Sequence, residues 1–195
     1  LEGRGADPPA VTLSDATIDF RRMPEGLGDT AAAGNTAGAG GQIGPITLGL
    51  REFRLTDDIA LTDLRGNFTA NGALRGAFRA RLNGRPEVRG QAVPTQHGTA
   101  LILQTEDAGA VLAAAGVMRN ARGGAMEIRM QPQPGGGYLG TLTARDLRLR
   151  DTPAFAALLD AISVVGLLDQ LEGPGIVVNQ VEARFRLSEG RFVLE

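Results

Sequence analysis

Between residues 46 and 83 apolar and polar side chains alternate with a period of two, and this pattern restricts the segment to a half-buried antiparallel sheet. Three runs carry it: ITLGLREFRL, IALTDLRGNFTA and ALRGAFRARL. Leu48, Leu50, Phe53, Leu55, Leu64, Phe68, Phe78 and Leu82 are assigned to one face, and Arg, Asp, Asn and Thr to the other. Successive strand side chains point to opposite faces, so such a run buries one side and wets the other. Thr-Asp-Asp, Asn-Gly and Asn-Gly-Arg-Pro interrupt the runs with turn chemistry, which makes the unit a meander.

The same reading extends along the chain. Residues 10–22 form a strand or bulged strand pair: Val11 and Leu13 share one parity, Ile18 and Phe20 the other, with Ser14-Asp15 between them. Residues 24–45, mostly Gly, Ala, Thr and Pro, cannot bury a core and are expected to be a flexible loop. Residues 98–105 are a strand. Asp107 caps a short helix over AGAVLAAAGVM, with Arg119 and Arg122 near its carboxyl end and Gly123-Gly124 after it. GGAMEIRMQ and GYLGTLTARDLRLR form a hairpin across Pro134-Gly135-Gly136-Gly137. A second helix is predicted over 153–171, with Thr152 as N-cap, Pro153 at the first helical position and Gly173-Pro174-Gly175 as its stop. Its polar stripe is narrow (Asp160, Ser163, Gln170), and Phe155, Leu158, Leu159, Ile162, Val165 and Leu168 make a wide apolar face that something must cover. A strand over 176–187 and a final one from Arg191 follow. LREFRLTD, LTDLRGNF and LTARDLRLRD share a strand grammar without being a strict repeat. The expected fold is mainly β (α+β): a curved antiparallel sheet of about ten strands forming a trough or half-barrel, with two helices on one face or end.

At 195 residues the chain can bury a core as one domain, the organisation adopted for 1–195. Glycine is 28 of 195, against a usual share of about 7%, as curved strands and many turns require. With seven Phe, one Tyr and no Trp, core volume must come from Leu, Val, Ile and Ala. The net charge of −2 gives no long-range attraction to nucleic acid. All 20 basic residues are arginine, which removes a Walker-type lysine and any Schiff-base lysine. The absence of cysteine removes disulfides and thiolate metal sites. No signal peptide or spanning segment is read, since Asp160, Ser163, Asp169 and Gln170 make 153–171 too polar to cross a membrane. With Leu-Glu at both ends, the chain is expected to be a piece of a longer protein.

Catalytic constellations are not found. Gly135–Gly140 matches GxGxxG, but a strand follows where a dinucleotide site needs a helix N-terminus, so it reads as a hairpin turn. His97, the only histidine, sits in an exposed turn; Ser14, Ser163 and Ser188 lie outside any nucleophile elbow. Asp57-Asp58 and Glu106-Asp107 are adjacent pairs without calcium-loop spacing. No catalytic residue, metal or cofactor is therefore assigned, and the chain is read as not an enzyme. Arg75, Arg79 and Arg81, in a basic stretch that continues to Arg85 and Arg89, are either an anion or phospholipid-headgroup site or the solvated side of a strand. Nucleic acid is not expected, because no aromatics interleave with these arginines for base stacking.

The stretch TEDAGAVLAAAGVMRNARGGAMEIRM, followed by GTLTARDLRLRDTPAFAALLDAISVVGLLDQLEGPGIVVNQVEARFRLSEGRF, resembles the carboxyl-terminal part of the AsmA-like family of Gram-negative bacteria, over 105–193. The order of short helix, Gly-Gly turn, hairpin, Leu-rich helix with GLLDQL and strand with EARFRL carries the resemblance. It implies a periplasmic segment of an inner-membrane-tethered protein, a β-sheet trough with a hydrophobic interior, and a part in phospholipid movement between inner and outer membranes and in outer-membrane integrity. It brings no catalytic residues. Phe155, Leu158, Leu159, Ile162, Val165, Val177, Val181 and Phe185 are the candidates to line a groove for acyl chains. The alternative function is a scaffold or assembly module whose strand edges pair with an envelope protein.

Overall fold

The computed structural model describes residues 9–19, 21, 44–71, 73–149, 163–164, 176–188 and 191–194. Its elements are β1 (Val11–Asp19), β2 (Ile46–Arg54), β3 (Ala60–Asn71), β4 (Ala73–Leu82), β5 (Glu87–Thr95), β6 (Gly98–Thr105), α1 (Ala108–Ala114), β7 (Ala121–Arg122), β8 (Ala125–Pro132), β9 (Tyr138–Leu149), β10 (Ser163–Val164), β11 (Ile176–Ser188) and β12 (Arg191–Leu194). The strands make one open sheet in the order β1-β2-β3-β4-β5-β6-β8-β9-β11-β10, with β12 also on β11 and β7 also on β9. The expected mainly-β architecture is present, and the sheet does not close into a barrel.

Three features depart from expectation. β1 pairs with β2 in parallel, Val11 beside Ile46 and Leu13 beside Leu48. The long connection before β2 permits this, because a parallel pair needs a crossover of a dozen or more residues rather than a tight turn. Only one helix, α1, occurs among the described residues. Ser163–Val164, inside the predicted second helix, is instead a strand against Val181 and Glu182. The β-branched cluster Ile162, Val164, Val165 favours extended backbone there; the rest of 153–171 and the loop over 24–43 lie outside the described residues. Finally, β5 occupies a segment whose alternation, Val88, Gly90, Ala92, Pro94, uses side chains too small to announce a strand.

Helix α1 is shorter than its apolar run. The Asp107 side chain accepts from the Ala110 N–H at 2.9 Å, as an N-cap should. The stop comes at Gly116 (φ 73°), where Val117 N–H donates to the Leu112 carbonyl and Gly116 N–H to that of Ala113, the paired bonds of a Schellman end. The helix covers one end of the apolar sheet face, where Leu50, Leu64, Ala80, Leu82, Val88, Val111, Met126 and Leu147 form the core.

Asn83 ties this corner together. It sits at φ 48° in the β4–β5 turn. Its Oδ1 accepts from Ala60 N–H at 2.8 Å, and its Nδ2 donates to the Asp58 carbonyl at 2.7 Å and to the Ala114 carbonyl at 2.8 Å. One side chain thus joins the β2–β3 turn, the β4–β5 turn and the end of α1.

Candidate functional site

The cross-strand register sorts the alternating residues into two contrasting faces. One rung runs Val11, Ile46, Phe68, Gly76, Ala92, Leu101, Met130, Gly140, Phe185, Leu194, from one edge of the sheet to the other. The next runs Leu13, Leu48, Gly66, Phe78, Gly90, Leu103, Ile128, Leu142, Ala183. Neither contains a polar side chain. The intervening rungs, such as Thr47, Asn67, Ala77, Gln91, Ile102, Arg129, Thr141 and Arg184, are largely polar.

Two devices shape the apolar face. The first is aromatic rings laid over cross-strand glycines. Phe78 stands between Gly66 and Gly90, and a Cβ on Gly90 would come within 2.1 Å of its ring. Phe185 covers Gly140 in the same way, again at 2.1 Å. Rings that lie down on glycine keep the surface smooth and protect the bare backbone. The second is a set of aspartates with left-handed backbone inside strands: Asp15, Asp63 and Asp146, at φ 53°, 51° and 55°. Asp tolerates this conformation because its short polar side chain can bond locally. The register shifts beside Asp15 and across Asp63, so the strands kink there as bulges do. Each aspartate also reverses the alternation. Leu61 and Leu64 both join the core, as do Ala144 and Leu147.

This reversal decides the fate of the groove candidates. Val181 and Phe185 lie on the apolar face, paired with Ala144 and Gly140. Val177 does not: beyond Asp146 the phase has flipped, so Val177 is 38% exposed while its neighbour Val178 is 3% exposed. Phe155, Leu158, Leu159, Ile162 and Val165 lie outside the described residues. Leu101, Leu103, Ile128, Met130 and Leu142 also stand on the apolar face and are missing from the sequence-derived candidates; the alternation of β6, β8 and β9 is the signal for them.

The first apolar rung runs into solvent at both ends, and the second at its β1 end. Val11 and Leu13 on β1 are 39% and 40% exposed, and Leu194 on β12 is 42% exposed. Along the middle, Leu101, Leu103, Ile128, Met130 and Leu142 are half-buried. Among the described residues no helix is long and apolar enough to cross a membrane.

The other candidates fall elsewhere. Arg75, Arg79 and Arg81 project from the polar face of β4, opposite to the apolar rungs. On the same face Arg129, together with Gln104, holds the Glu127 carboxyl below its ordinary range. His97 is exposed in the β5–β6 turn, its N–H donating to Thr95 Oγ1. Of the GxGxxG match, Gly135 and Gly137 lie in the β8–β9 turn, closed by Gln133 N–H to the Gly137 carbonyl at 3.0 Å, and Gly140 lies within β9. Asp57-Asp58 and Glu106-Asp107 lie in connections rather than strands. Among the described residues no three His, Asp or Glu side chains gather as metal ligands. No family model, curated protein or solved structure matches the chain.

Proposed function

We propose that this chain is a non-enzymatic segment that carries phospholipid acyl chains along the apolar face of its sheet, as part of an AsmA-like protein of the cell envelope. The observation that supports it best is the unbroken apolar rung from Val11 to Leu194. A face meant only for a core needs apolar residues under its covering elements; this one continues to both open edges, where it is exposed. Contiguous apolar surface of that kind marks an interaction site. Burial of about ten methylenes at roughly 0.8 kcal/mol each would supply about 8 kcal/mol, enough for micromolar retention. In this reading the sheet curves as a trough or half-barrel around the chains. The parent protein is tethered to the inner membrane, the segment stands in the periplasm, and the activity is phospholipid movement to the outer membrane, with outer-membrane integrity depending on it. Native mass spectrometry of protein purified without detergent is expected to show bound phospholipid, and labelled vesicles should donate lipid to it. Failure of both would remove the proposal.

A second reading, a scaffold that pairs through strand edges, is favoured by the exposed Val11 and Leu13 on edge strand β1. Such an edge is a template for another strand. Val11 N–H donates inward to the Pro45 carbonyl at 3.0 Å, so the N–H of Thr12 points to the open side. Thr12→Pro should then abolish self-association, read by analytical ultracentrifugation, with the thermal transition retained. Association that survives the proline would exclude β1 pairing.

A further inference from the structure

We infer that the polar face holds an anion site built on Arg65, Arg79 and Arg89, for a phosphate-type group carrying at least two negative charges. The register places these three side chains on one rung of β3, β4 and β5: Arg65 opposite Arg79, and Arg79 opposite Arg89. Directly opposed residues have Cβ atoms about 5 Å apart, and like charges so placed destabilise a sheet. The outer two arginines stand about 10 Å apart, within a Debye length at 0.1 M salt, so screening does not remove the repulsion.

The surrounding residues relieve it only in part. Arg89 Nε bonds Glu87 at 3.0 Å. Arg65 and Arg79 have no ion-pair partner among the described residues, and β4 adds Arg75 and Arg81 without an acid. The three arginines line one shallow depression of about 760 Å³, which Asn67, Glu87, Gln91 and Gln104 also line; Glu87 offsets one of the three positive charges and leaves two. Planar guanidinium groups match the paired oxygens of phosphate, and a dianion shared by several of them turns repulsion into attraction. No aromatic side chain stands on this rung, which leaves nucleic-acid bases nothing to stack on.

The site is separate from the acyl-chain face. Phe78 lies behind it, against Gly66 and Gly90, so the sheet itself stands between the arginines and any chain on the other side. One lipid cannot use both at this point, and the inference stands without the acyl-chain reading.

Inorganic pyrophosphate and vesicles containing phosphatidic acid, whose phosphomonoester can carry two charges, separate a soluble phosphate from a lipid headgroup. Thermal unfolding at about 20 mM salt, where screening is weak, should show a saturable rise in Tm with pyrophosphate, beyond that given by sodium chloride at equal ionic strength. Alternatively, the protein should sediment with phosphatidic acid vesicles and not with phosphatidylcholine ones. Either result supports the site and names its source. Arg79→Gln should raise Tm without ligand by about 1–3 °C, because a repulsion is gone, and should reduce binding at least tenfold. Arg184→Gln, on the same face of β11, should leave binding unchanged. The inference is overturned if neither probe binds, if Arg79→Gln binds as the parent does, or if Arg184→Gln loses as much as Arg79→Gln.

Discussion

Replacing Asn83 with alanine is expected to lower the stability of the protein by about 2–4 kcal/mol. Three side-chain hydrogen bonds, to Ala60 N–H and to the carbonyls of Asp58 and Ala114, are lost together. Each contributes about 0.5 kcal/mol net, the low end of the usual range, because the bonds to the Asp58 and Ala114 carbonyls are solvent-exposed. Alanine must also adopt the φ of 48° that Asn83 holds, at a further cost of about 1–2 kcal/mol. For a chain of this size the change corresponds to a fall in Tm of roughly 5–15 °C. Asn83→Gly separates the two contributions, since glycine enters the left-handed region without strain. It should lie about 1 kcal/mol above the alanine variant and still well below the parent in urea unfolding. If both variants stay within about 0.5 kcal/mol of the parent, the range of an ordinary surface substitution, Asn83 does not hold the corner.

Asn83 also illustrates what was legible in the chain. Asn83-Gly84-Arg85-Pro86 reads as a turn from residue types alone, and a turn is what forms. That its amide reaches the end of α1 could not be read, because that contact depends on how the helix is set down on the sheet. The strands show the same division. Runs with large apolar residues at every second position, as in β2, β3 and β4, were legible to within a residue or two. β5 was not, since Gly90 and Ala92 contribute little to its alternation and the missing volume comes from Phe78 on the neighbouring strand. The parallel pairing of β1 was hidden too, because alternation looks identical in parallel and antiparallel pairs.

The left-handed aspartates were half-visible. The parity change across Ser14-Asp15 marked one bulge, and the recurrence of Asp-Leu-Arg at Asp63 and Asp146 was read as a shared grammar without its cause. That cause, a phase flip, is what moves Val177 off the apolar face and puts Val178 in its place. The basic stretch was visible on β4, but a rung is a property of register. Arg65 and Arg89 join Arg79 only once three strands are aligned, while Arg81 falls on the next rung of that face and Arg75 on the second one away in the other direction.

The acyl-chain proposal predicts that the same substitution at two consecutive residues will have opposite consequences. Leu142 and Thr141 are neighbours on β9 and point to opposite faces. Leu142 stands between Ile128 and Ala183, whereas Thr141 stands between Arg129 and Arg184. Leu142→Glu puts a carboxylate in the middle of an apolar rung. A lipid chain crossing there must either desolvate an unpaired charge, which costs several kcal/mol, or leave the rung. Retained phospholipid, measured by native mass spectrometry, should fall at least tenfold, which is about 1.4 kcal/mol. Thr141→Glu places the same group between two arginines, where opposite charges across strands contribute about 0.2–1 kcal/mol. It should retain lipid as the parent does and unfold at an equal or higher temperature. Because Leu142 also packs against the core, its variant is paired with Leu13→Glu, at a position already 40% exposed near the open edge. Leu13→Glu should leave Tm within a few degrees and still reduce lipid retention, because it interrupts the second rung where a chain would enter. Lipid retention that is unchanged in both Leu142→Glu and Leu13→Glu, with folding intact, would show that the apolar face serves the core alone.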